Sequence, residues 1–227
     1  MTPRPPAELA AVLAAEPTRQ QTFFWSRSAW NNRMHDLPDV LQLLQDLPAE
    51  VDREVTREFV LRALQRDRVI PAFVAAMVWG HGTTGYGPTR VRSALTGQWG
   101  VASYQAPVRD AEVSSKLRGA VDVVRNEGAA EAYGYMYGAG RVKYLGGAFF
   151  TKWLYFVSAV DGVHGRDAAP ILDTQVATWL RANGVMNLNP AKTKSYRDYL
   201  ALLEVWGDRF GRTRVEIEQA IFGLARG

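Results

Sequence analysis

Two residues of this chain carry reactive groups in surroundings that would alter them: Lys152 and Asp173, 173 − 152 = 21 positions apart. Lys152 has Ala148 and Phe149 one turn before it and Tyr155 and Phe156 one turn after, so on a helix its amine emerges from an apolar, aromatic face. Burial on such a face disfavours the ammonium and raises the share of neutral amine, a nucleophile able to form a Schiff base. Asp173 follows Pro170-Ile171-Leu172 and precedes Thr174-Gln175-Val176, which places it as the cap of a helix. Backbone N–H groups and the helix dipole favour the anion there, and an anion can stabilise developing positive charge, orient a water or move a proton. Taken singly, the lysine is a snorkelling side chain and the aspartate an N-cap; together they form a candidate catalytic pair.

The elements that must position this pair read as helices. Ala7 to Ala15, Leu37 to Leu47 and Val51 to Arg68 have short or amphipathic helical patterns; the last puts Val55, Phe59 and Ala63 on one side and pairs Glu58 with Arg62. Val69 to Trp79 is almost wholly apolar, a buried helix that ends at the glycine-rich loop Gly80 to Pro88. Thr89 to Leu95 and Val113 to Asn126 are further helices. Arg141 to Phe156 reads as a short helix, a tight turn at Gly146 and Gly147, and an aromatic helix bearing Lys152. A basic segment, Lys192 to Arg197, precedes two C-terminal helices reaching Leu224; its Lys192, Lys194 and Arg197 suit a solvated face as well as a DNA contact. With no strand series and no repeat, the fold class is all-α. The expected organisation is one compact domain over 1–227, with N-terminal helices at 1–68, a core at 69–182 and C-terminal helices at 183–227.

Composition narrows the function classes. A length of 227 residues with 47% hydrophobic content supports a real core. The sequence has no cysteine, which removes disulfides, thiolate zinc sites, iron–sulfur clusters and a thiol nucleophile, and fits a reducing cytoplasm. His35, His81 and His164 lie far apart, without the spacing that puts two metal ligands on one helix face, so neither a metal nor a cofactor is expected. No apolar run reaches the roughly 18 residues of a membrane span. A net charge of +4 permits an electrostatic footprint on nucleic acid.

A glycine turn before a lysine-bearing helix, followed by Pro170-Ile171-Leu172-Asp173-Thr174-Gln175-Val176, resembles the helix-hairpin-helix DNA glycosylases, above all their 8-oxoguanine branch. Leu145 to Lys152 is similar to that family's Leu-Pro-Gly-Val-Gly hairpin and nucleophilic lysine, and Asp173 to its catalytic aspartate. The resemblance covers about Val69 to Leu224 and implies a two-lobed helical fold with the base site in the cleft between lobes. It implies a monomer acting on double-stranded DNA that contains a modified base. The base would be flipped out, its N-glycosidic bond broken, and the strand nicked by β-elimination if Lys152 forms the Schiff base. Gly146, Gly147, Ala148 and Thr151, with Arg141 and Lys143, would hold the DNA backbone. His81 and Tyr86 would be the wedge filling the vacated stack, and Phe156, Gln219, Phe222 and Trp25 would line the base pocket.

The chain departs from that pattern at Gly146-Gly147-Ala148-Phe149, in place of Pro-Gly-Val-Gly, and at Gln175, where the family has histidine. Two other functions stay open. One is excision of a hypermodified base, such as a glucosylated hydroxymethylcytosine of phage DNA, by a defence enzyme. The other is a non-catalytic helix-hairpin-helix module that grips DNA and has no use for Lys152 or Asp173.

Overall fold

The computed structural model of the protein describes residues 3–16 and 20–226. Among them the elements run α1 (Ala7–Ala14), β1 (Phe23–Phe24), α2 (Arg27–Arg33), α3 (Pro38–Asp46), β2 (Glu50–Val51), α4 (Arg53–Gln65), α5 (Val69–His81) and α6 (Gly87–Thr96). They continue with α7 (Ala102–Gln105), α8 (Asp110–Asn126), α9 (Ala129–Tyr137), α10 (Gly147–Ser158), α11 (Thr174–Ala182), α12 (Thr193–Phe210) and α13 (Arg214–Leu224). The all-α class holds; the two strands only clip Phe23 opposite Val51 and Phe24 opposite Glu50 in an antiparallel pair.

The centre of the fold is α5. Every residue from Val69 to Trp79 is buried, as a helix apolar on all sides must be, and it packs against α3, α4, α6, α8 and α10. Pro71 falls in its first turn, where a missing N–H breaks no intrahelical bond. At the other end Gly82, with φ +58°, turns the chain out of the helix in a conformation that favours glycine. No described helix is long and apolar enough to cross a membrane.

Two segments differ from the sequence expectation. Helix α4 starts at Arg53 because Asp52 caps it, accepting the Val55 N–H at 2.8 Å, and Val51 is left in β2. Its buried face is Arg53, Thr56, Val60 and Ala63, while Val55 and Phe59 are half-buried and Arg62 lies over the Phe59 ring. A charged residue heads the core face, which rotates the apolar stripe. Second, Arg141 to Leu145 is not helical: the helix before the glycine turn is α9, and the connection crosses to α10 through Tyr144 at φ +67°.

The first and last helices meet. Helix α1 packs on α13, Trp206 Nε1 donates to the Pro3 carbonyl at 2.8 Å, and the Arg212 guanidinium donates to the Ala15 carbonyl at 2.6 Å.

Candidate active site

Helix α10 is buried along its length except for a stripe of half-buried positions, Ala148, Phe149 and Lys152, spaced three and four apart. That stripe faces the C-terminal end of α5. Lys152 Nζ donates to the Gly80 carbonyl at 2.7 Å, with the rings of Phe149 and Trp79 4.9 and 5.9 Å from the amine. Gly80 is small for a reason: a Cβ there would stand 3.0 Å from Lys152 Cδ. Burial lowers the lysine pKa below its ordinary 10.5; the Asp173 carboxylate opposes that shift and the Arg53 guanidinium adds to it. The Phe149 ring also stacks on His81, centroids 4.2 Å apart. Burial first, then the charges of Lys152 and Arg90, push the imidazole down to about 3, so His81 is neutral at physiological pH.

Asp173 caps α11 by accepting N–H bonds from Gln175 and Val176 at 3.0 and 3.1 Å. The extended segment that delivers it is held from two sides. From α10, the Thr151 hydroxyl accepts the Leu172 N–H at 3.3 Å and the Ser158 hydroxyl accepts the Ala169 N–H at 2.8 Å. From α12, Tyr196 and Tyr199 donate to the Pro170 and Ile171 carbonyls at 2.7 and 3.0 Å. Residue 151 is thus bonded to residue 172, which fixes how their neighbours, the lysine and the aspartate, sit relative to each other.

Both open into a cleft of about 1200 Å³. Its walls are the end of α1, Gln20 to Phe23, the end of α5 with the loop to Thr84, and the exposed side of α13. Arg53 and Glu218 reach into it as a closed ion pair, with two hydrogen bonds of 3.0 and 3.1 Å, and the guanidinium also lies over the rings of Tyr155 and Trp79. Burial pushes Glu218 up and the guanidinium opposes it; burial pulls Arg53 down, but the Glu218 carboxylate and the Tyr155 hydroxyl together raise its pKa. Gln20 braces the same corner, its Oε1 accepting from the Arg53 N–H and from Trp79 Nε1. Gln219 lines the cleft with its Oε1 3.2 Å from His164 Nε2, while its buried Nε2 has no hydrogen-bond partner among the described residues. Phe222, half-buried beside it, also lines the cleft. Among these residues no three His, Asp or Glu side chains converge to hold a metal ion.

Other expected site residues lie elsewhere. Phe156, one turn beyond Lys152 on the same side of the helix, is fully buried edge-on to Trp79 and forms no part of the cleft wall. Trp25 is also buried outside the cleft, its Nε1 bonded to the Pro48 carbonyl. Thr151 is inside the protein with its hydroxyl bonded to Gly147 and Leu172, so it braces the site and offers nothing to a DNA backbone. Gly147 is buried under Tyr137, whereas Gly146 is exposed at the N-cap of α10 with open space about it; Ala148 is half-buried. Arg141 is exposed, and Lys143 donates to the Gly97 carbonyl at 3.1 Å. Of the two wedge candidates, His81 lines the cleft but is stacked in place, and Tyr86 is 54% exposed at the start of α6, outside the cleft wall. Lys194 and Arg197 form ion pairs with Asp198 and Glu131 at 2.7 Å, a solvated face.

Arg53, Glu218, Gln20 and His164 escaped the sequence reading. For the first two a signal existed: Glu218 stands between Val215 and Ile221 at three-residue spacing, and Arg53 heads Thr56, Val60 and Ala63, so each is a charge on a core-facing stripe. Gln20 and His164 lie in irregular segments and have no such pattern.

Neither a curated protein nor a solved structure matches the chain. A family model does, described as "Putative 8-oxoguanine DNA glycosylase OGG-like protein", over residues 16–222 of the 227. That span contains Lys152, Asp173 and all the cleft residues described above from Gln20 to Phe222, and it supports DNA glycosylase activity as the reaction class. The chain belongs to the OGG-like DNA glycosylase family.

Proposed function

We propose that the chain excises a modified base from duplex DNA, with Lys152 as nucleophile and Asp173 as the charge-stabilising carboxylate. The observation that carries this reading is the lysine itself: a desolvated amine with lowered pKa, oriented by one N–H bond to Gly80, in the same cleft as an aspartate on a braced segment. The amine lone pair would form a bond to C1′ of a flipped nucleotide as the glycosidic bond breaks and the base leaves with the bonding pair and takes up a proton. Ring opening then gives a protonated Schiff base, from which β-elimination breaks the 3′ C–O bond. Asp173 faces the positive charge that develops at the sugar.

The family description favours 8-oxoguanine as the base. The unpartnered Gln219 amide donor, buried at the cleft wall, suits a base carbonyl. A hypermodified base is the second reading, favoured by the cleft volume, which exceeds the roughly 300–1,000 Å³ of ordinary small-molecule pockets. The open N-cap at Gly146 and the exposed Arg141 would meet the DNA backbone.

Borohydride trapping on duplexes carrying 8-oxoguanine or glucosylated hydroxymethylcytosine tests the mechanism and separates the substrates. Wild type is expected to release one base and form a covalent adduct; Lys152→Gln is expected to give no adduct, and Asp173→Asn to lose about 10³-fold in rate. Base release without trapping assigns Lys152 to orienting a water. Wild-type activity in both variants sinks the pair.

A further inference from the structure

We infer that Trp99 and Tyr144 form a second DNA contact, a stacking platform for the sugars and base edges of the strand that runs past the N-terminus of α10. This rests on the reading of the chain as a DNA glycosylase. Neither ring serves the core: Trp99 is 48% and Tyr144 40% exposed, yet they are held together, centroids 5.2 Å apart and tilted by 47°. Val101, 76% exposed, adds an apolar edge.

The backbone under Tyr144 is the second observation. It sits at φ +67°, a region that glycine adopts freely and a tyrosine does not, so surrounding contacts hold it there. Lys143 supplies them: its Nζ is anchored on the Gly97 carbonyl at 3.1 Å and lies 4.8 Å over the Tyr144 ring. That bond joins the loop after α6 to the connection before α10 and makes one surface of the two.

The chemistry of this surface fits a polyanion with flat bases. Lys143 lies over one ring and the exposed Arg141 precedes Tyr144 by three residues, Arg109 lies across Gly97, and the neighbouring acid, Glu112, is shared between Arg109 and Lys116. Cations interleaved with exposed rings meet phosphates and bases together. The patch is also continuous with the open N-cap of α10, since Tyr144 stands two residues before Gly146.

The test is equilibrium binding to a duplex carrying a non-cleavable abasic-site analogue, which removes base identity from the measurement. Trp99→Leu and Tyr144→Gly are expected to bind about tenfold more weakly than wild type with an unchanged salt slope, whereas Lys143→Ala reduces the slope by about one. Shortening the duplex on the hairpin side should cost wild type the same factor and cost Tyr144→Gly nothing more. Tyr144→Gly relieves the backbone strain, so its melting temperature should not fall below that of wild type, and weak binding then cannot come from unfolding. Wild-type affinity in both ring variants overturns the platform. So does self-association of wild type that Trp99→Leu abolishes while DNA affinity stays unchanged, which gives the patch to a second copy of the chain. A wild-type protein that binds no DNA overturns the glycosylase reading as well, and so distinguishes the two failures.

Discussion

Two charged pairs share the cleft and have been treated oppositely by the fold. Arg53 and Glu218 face each other with two hydrogen bonds, the guanidinium lies over two rings, and Gln20 holds the Arg53 backbone N–H; the charge of each is answered by the other within the protein. Lys152 and Asp173 are not closed on each other. The lysine is bonded to a backbone carbonyl and the aspartate to backbone N–H groups, so each is held by main chain and keeps its reactive side for something else. A buried ion pair that satisfies itself is architecture. A lysine and a carboxylate held apart by the backbone in a cleft are equipped to act on a third party.

That contrast can be broken by substitution. Arg53→Met leaves Glu218 buried without its partner and should cost about 3–5 kcal/mol, a fall in melting temperature on the order of 10 °C, with most of the loss recovered in Arg53→Met/Glu218→Leu. Lys152→Met, by comparison, should leave the melting temperature level or raise it, because it removes a desolvated cation that nothing fully neutralises. Equal destabilisation by the two methionine variants, in thermal unfolding, would erase the distinction.

A smaller effect is expected at the brace. Thr151→Val leaves the buried Leu172 N–H without its acceptor, at about 1–3 kcal/mol, and should lower single-turnover base release by roughly tenfold with little change in substrate affinity. Thr151→Ser restores the hydroxyl and should restore the rate. The gentlest probe is pH. Because the pKa of Lys152 lies below 10.5 in the folded protein, the neutral amine appears as pH rises through that lowered value. The single-turnover rate should therefore climb with pH, level off before 10.5 and fall away on acidification; Lys152→Gln should lack this limb.

The helical class, the buried α5, the N-cap at Asp173 and the aromatic helix that bears Lys152 were legible because each leaves a local mark: an uninterrupted apolar run, a proline before an N-cap, an amine amid aromatic residues. Phe156 was misread as pocket because periodicity puts it on the face of Lys152 but does not say where along that face the core closes over. Thr151 was misread as a DNA contact because its partner, Leu172, is 21 positions away. Arg53 and Glu218, 165 positions apart, show the same limit: each marks a core stripe, and only the fold reveals that the two stripes meet.

The packing of α1 on α13 also sets a clock. Chains emerge from synthesis N-terminus first, and helices such as α4, α5 and α10 can assemble as they appear. The wall that carries Glu218, Gln219 and Phe222 belongs to the last described helix, and α1 waits for it from the outset. Arg53 has no carboxylate partner, and the cleft no far side, until α13 arrives. A nascent chain would therefore carry its lysine before the far wall of the cleft had formed.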